Sequence, residues 1–154
     1  THAYPLASPG DPVSGSFVSS ALVMFGLSYV WHGLALNDLS ELKTPLALYL
    51  SLSGLVYLVI GLLMTGMMHF MLAHEWIKLR NGFPLKGLLF GAVVGFMVYL
   101  VAFIFGMSFT DHNMVHVVVD AIWQMVEQGL GGMVVSFGII YDLHQSFLES
   151  EKAK

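Results

Sequence analysis

Four apolar stretches, at about residues 16–36, 46–73, 85–109 and 113–141, dominate this chain of 154 residues. At 1.5 Å of rise per residue, each is long enough as a helix to cross a hydrocarbon core of roughly 30 Å. In that medium a backbone must satisfy its own hydrogen bonds, which favours helices for runs of this kind. The expected fold is therefore all-α: an integral membrane protein built as a bundle of four transmembrane helices. Only 10% of the residues are charged and the net charge is −4. A soluble domain carries about 25% charged residues to cover its surface, so this chain lacks the means to face water. The acidic balance argues against a nucleic-acid partner, which needs a basic face. With no cysteine, disulfides, thiolate metal sites and cysteine nucleophiles are excluded.

The polar punctuation divides the chain. Residues 1–15 read as a Pro/Gly/Ser arm. The stretch Thr1 to Ser16 lacks Lys and Arg and contains Pro5, Pro9 and Pro12, the wrong composition for the first part of a secretory leader. Asn37 to Lys43 forms a short polar connection after the first run. Thr44-Pro45 suits a helix start, a capping hydroxyl followed by proline at the first helical position. The second helix is expected to continue through His74 to Arg80 and to stop at Asn81-Gly82. Thr110-Asp111-His112 leaves so little chain that the third and fourth helices must be antiparallel neighbours. A polar tail closes the chain from Asp142, with residues 149–154 beyond the four-helix domain of residues 16–148.

Trp31 and Tyr49 mark one interface with the headgroups, Trp76 and Tyr141 the other. Lys78, Arg80, Lys86, Lys152 and Lys154 fall on one side and Lys43 on the other. The positive-inside rule then sets the second loop and the C-terminus in the cytoplasm. Four spans bring the N-terminus to the same side, and the expected setting is a bacterial inner membrane.

The fourth run carries the densest polar pattern. Asn113, His116, Asp120, Gln124, Glu127, Gly131 and Gly138 fall on one helical stripe within an arc of roughly 80°. A charged Asp or Glu at the bilayer centre costs about 2.5–3.5 kcal/mol on insertion scales. Asp120 and Glu127 must therefore turn into the bundle or into a subunit interface. Two readings stand beside each other. The seam is either a hydrogen-bonded network holding the fourth helix to its neighbours, or a proton or cation path along His116, Asp120, Gln124 and Glu127.

Two further groups could hold metals. His32 and His116 are each about one turn from the outer ends of the first and fourth helices, with His112, Asp111, Asp38 and Asp120 nearby in sequence. Histidine with carboxylate suits a transition metal such as zinc, copper or iron. Two histidines at one depth also suit the axial positions of haem b. The plainer reading is interfacial histidines that hydrogen-bond. On the other side Met64, Met67, Met68 and Met71 surround His69, and His144 lies at the same level. Met64, Met68, His69 and His144 could form a soft Cu(I) site, although methionine is more simply an adaptable apolar filler.

Packing signals occur on every helix. Gly87, Gly91 and Gly95 recur at four-residue steps, and Gly132 and Ser136 are four apart, the pattern that lets helices approach closely in lipid. No nucleophilic triad can be assembled, and the glycines of the third run have no Lys-Ser/Thr after them to bind phosphate. With the glycines of the third helix and Asp120-Ala121-Ile122-Trp123 in the fourth, the layout resembles small bacterial four-helix membrane proteins of unknown function. That resemblance implies no activity. The leading expectation is a non-enzymatic subunit of a larger membrane complex, surrounded by membrane lipid and by other membrane subunits or copies of itself. A proton or metal-cation transporter or channel, and a haem- or metal-binding redox protein, are the alternatives.

Overall fold

The computed structural model describes residues 13–37, 39, 45–79, 82–105 and 114–152. Among these residues the chain is all-helical. It comprises α1 (Val13–Tyr29), α2 (Leu46–Ala73), α3 (Phe83–Ile104) and α4 (Met114–Lys152). Three helical stretches are long and apolar enough to cross a membrane: Gly15–Ala35, Leu46–Ala73 and Phe83–Ile104. At 39 residues, α4 is the longest helix, about 58 Å at 1.5 Å per residue. His116, Asp120, Gln124, Glu127 and Gln128 interrupt its apolar character.

α4 is the hub of the packing. It lies most extensively against α3 and then against α1, while α2 closes on α1 and touches α4 and α3 less. Glycine makes the α3–α4 contact possible. A methyl group added at Gly87 would run into Ser136 and, at 2.5 Å, the Gly132 carbonyl. One at Gly91 would run into the Gln128 carbonyl, and one at Gly95 into the Gln124 carbonyl. The matched pairs step in opposite directions along the two helices, so α3 and α4 are antiparallel. On the α1 side, Gly131 faces Ser20 and Met24, and Gly138 faces Ser16. The Ser20 hydroxyl donates to the Gly131 carbonyl at 2.9 Å across this contact. Gly61 lets α2 meet α1, where an added methyl would lie 2.8 Å from the Phe17 carbonyl. Between these contacts sits a core containing Met24, Met64, Met68, Ile60, Val135 and Ile139.

Several helix ends depart from the sequence expectation. The continuation of the second helix through His74 to Arg80 does not form, because α2 ends at Ala73. Glu75 takes a left-handed conformation, φ 58°. Its N–H bonds to the Leu72 carbonyl at 3.1 Å, and the Trp76 N–H to the Met71 carbonyl at 2.9 Å. This pair of reversed bonds closes a helix by the Schellman pattern. Trp76 then meets the Phe70 ring edge-on. Gly82, φ 89°, opens α3 instead of stopping α2, with Pro84 in the first turn. At the other end of α1, the backbone widens into a π-helical segment, Val30–Ala35. α4 runs without a break through Asp142 to Lys152. No Gly or Pro follows Gly138 to stop it, and Ser146 bonds back to the Asp142 carbonyl at 3.0 Å.

Glycines that fill a contact and glycines that do not should behave in opposite ways. Gly91→Ala is expected to destabilise the bundle by about 1–3 kcal/mol, because backbone must move. Gly54 meets nothing within 4 Å, so Gly54→Ala is expected to be neutral or stabilising by about 0.5–1 kcal/mol. Denaturation of the detergent-solubilised variants by titrated SDS measures both.

Candidate functional site

The polar stripe of α4 meets the rest of the chain at Glu127. This residue has no exposed surface. Its carboxyl is surrounded by donors from its own chain: the Tyr57 hydroxyl of α2, the Trp123 indole and the Gln124 amide. Gln124 Nε2 donates to Oε1 at 3.4 Å, a long bond. Oε2 and the Trp123 indole N–H are buried and complete no hydrogen bond. The Ser28 hydroxyl of α1 reaches the Tyr57 oxygen in turn. Side chains of α2 and α4 thus adjoin one carboxyl, and Ser28 of α1 adjoins Tyr57 behind it.

An aromatic pair stands beside the acid. Trp31 and Trp123 stack with ring centroids 4.3 Å apart and planes 14° from parallel. Such a pair contributes about 0.5–1.5 kcal/mol beyond the area it buries. Trp31 belongs to the π-helical end of α1. Phe25 packs edge-on to Tyr57, centroids 6.2 Å apart, and shields the Tyr57 ring on the α1 side.

The remaining candidates are dispersed. Asp120, half-buried, lies about 10 Å along the axis from Glu127, with Tyr99 of α3 within electrostatic reach of it. His116 is in the first turn of α4; its side chain is not among the described ones, and His112 lies outside the described residues. His32 lines a shallow groove between α1 and α2 together with Ser28, Tyr49 and Ser53. Met64 and Met68 are buried in the core. His69 is half-buried, with Nδ1 2.9 Å from the Thr65 carbonyl, and His144 is exposed. The Ser136 hydroxyl donates to the Gly132 carbonyl at 3.0 Å and lies 3.9 Å from the Met68 sulfur, so that thioether serves packing between α2 and α4. Among the described residues no three His, Asp or Glu side chains come together as a metal site.

Reading the sequence alone passed over Tyr57, Gln128 and the part Ser28 takes. One signal for Tyr57 was present. Tyrosine favours the headgroup level, and a tyrosine well inside an apolar span announces an internal partner for its hydroxyl. Gln128 sits one residue from the stripe and faces α3 near Gly95. It is fully buried, and neither amide atom has a partner. Comparison with known protein families, curated proteins and solved structures finds no match to the chain.

A buried amide without partners loses its desolvation energy and gains nothing back. Gln128→Met keeps the length of the side chain and removes both polar atoms. The variant is expected to be as stable as the parent or more stable by about 1 kcal/mol, measured by the same SDS titration.

Proposed function

We propose that this chain is a small, non-enzymatic subunit of a larger membrane protein complex. In this reading α4 is a fourth span, and its polar seam is an internal contact that holds the bundle together. Support for the fourth span comes from its close packing on α3, since the segment Gln124–Ser136 runs alongside the glycines of a helix apolar enough to cross. Support for the internal role of the seam comes from Glu127, which meets Tyr57 and Gln124 of its own chain and has no exposed surface.

The observation that carries the subunit reading is the outer face of α2. Its buried residues lie along one side, while Leu52, Leu55, Leu62 and Leu63 are more than half exposed. On the side of these leucines Gly66 is exposed and opens onto empty space. The glycines at which helices of this chain meet are filled by backbone or side chains; Gly66 leaves a notch that an apposed helix can enter closely. The seat of the subunit is the inner membrane of a bacterium, with both termini cytoplasmic. The clustering of Lys78, Arg80, Lys86, Lys152 and Lys154 on one side, against Lys43 alone on the other, supports this orientation.

Gentle extraction from native membrane, followed by native electrophoresis, tests the proposal. The chain is expected to migrate in a complex larger than its own bundle, with at least one different polypeptide in fixed ratio. Migration as a free monomer, or with copies of itself alone, would overturn it.

A further inference from the structure

Half of the chain's six basic residues fall in or beside the short link from α2 to α3. They are Lys78, Arg80 and Lys86, with Glu75 as the single acid among residues 74–86, in a chain whose net charge is −4. The link is thus a basic island on an acidic chain. The length of α3 sets its level. At 22 residues this helix is about 33 Å long, close to the roughly 30 Å of hydrocarbon. Laid across the bilayer it has no turn to spare, so Lys86 in its first turn stands among the headgroups.

The link is fastened and its cation is placed. Phe83 is buried in the core, and Ile77 packs against that core. The Lys86 ammonium donates to the Lys78 carbonyl at 3.2 Å. That bond folds the side chain back over the link and leaves two of the three N–H groups for another acceptor.

A patch of rings adjoins it. Phe70, in the last turn of α2, has its ring centroid 4.0 Å from that of His74 and 5.9 Å from that of Trp76. His74 and Trp76 are 6.2 Å apart. His74 Nδ1 donates to the Phe70 carbonyl at 2.9 Å, which fixes its ring against Phe70. These rings do not enter the core: Phe70 is 52% and Trp76 73% exposed. An exposed indole with apolar neighbours suits the headgroup level, where its ring meets acyl chain and its N–H meets oxygen.

We infer that the α2–α3 link is a binding site for an anionic phospholipid. Lys86 and Lys78 take the headgroup phosphate, and Phe70 and Trp76 lie along the glycerol and the upper acyl chains. Charge selects this occupant. A zwitterionic lipid carries a cation beside its phosphate, which the positive balance of the link repels; an anionic headgroup carries no such cation. Free phosphate engages the lysines but leaves the rings exposed. A second copy of this chain, meeting ring patch to ring patch about a two-fold axis, sets two basic links against each other. The inference does not rest on the subunit reading; it needs only that α2 and α3 cross the bilayer.

Trp76 is the reporter. The full chain is reconstituted, one copy per disc, in phosphatidylcholine nanodiscs doped with brominated phosphatidylglycerol. A parallel set carries brominated phosphatidylcholine at the same mole fraction. Quenching of Trp76 emission, isolated by subtracting the Trp76→Phe variant, shows which lipid adjoins the ring. The anionic lipid is expected to quench at least about twofold more than the zwitterionic one. Lys78→Gln combined with Lys86→Gln should remove the excess, and Lys152→Gln, a cation far along α4, should leave it. Equal quenching by the two lipids overturns the inference, as does an excess that survives the double substitution. An excess lost equally in Lys152→Gln marks diffuse charge, and one displaced by inorganic phosphate but not by sodium chloride of equal ionic strength marks a free-phosphate site; either overturns it. Should the double variant fail to fold, Glu75→Gln decides: removing the one acid is expected to raise the excess, and an unchanged or smaller excess overturns the inference.

Discussion

The bundle depends on how closely two helix backbones approach. Between α3 and α4 there is no room for a side chain at three successive turns, where Gly87, Gly91 and Gly95 lie against carbonyls and small residues of α4. Lipid supplies no hydrophobic drive for such contact, so dispersion between closely fitted surfaces must do it. The consequence spreads from there. Held against α3, α4 turns a second small face, Gly131 and Gly138, onto α1. α1 then receives α2 at Gly61. One helix thus organises two of its neighbours, and the third attaches through α1.

The same arrangement explains how an oily helix tolerates an acid. A carboxyl in hydrocarbon is expensive unless other polar groups surround it. Glu127 sits where three helices meet, so donors arrive from more than its own helix: Tyr57 from α2, and Gln124 and Trp123 from α4. The enclosure is incomplete, since Oε2 and the Trp123 N–H each lack a partner. A polar network left partly satisfied is less stable than one fully closed or fully apolar. Its persistence in so small a bundle is a physical reason to look for a use at this acid.

What could be read from the chain was periodic, and what could not was set by tertiary contact or by a single dihedral. The α2 and α3 runs and the four-residue steps of Gly87, Gly91 and Gly95 follow from one-dimensional patterns. Which helix meets those glycines does not. The end of α2 turned on Glu75 adopting a positive φ, a conformation uncommon outside glycine and asparagine, whereas Asn81-Gly82 carried the stronger formal stop signal. The widened turn at Val30–Ala35 has no sequence mark of its own; it coincides with the stack of Trp31 on Trp123, whose two members lie far apart along the chain. At the site, the stripe on α4 singled out Glu127 and Gln124. The partner that gives the acid its setting, Tyr57, came from another helix and another periodicity.

The length of α4 has a mechanical consequence. It is one unbroken helix from Met114 to Lys152, longer by about 28 Å than the hydrocarbon it would cross. Its far end carries exposed Phe147 and Leu143 beside Glu149 and Glu151. A helix is torsionally stiff, so the direction of each residue around the axis is tied to every other. At 100° per residue, Phe147 points about 200° away from Glu127. Between that end and the acid stand the contacts at Gly138, Gly132 and Gly131, so a load on the Phe147 side falls on the seams with α1 and α3 before it reaches the carboxyl.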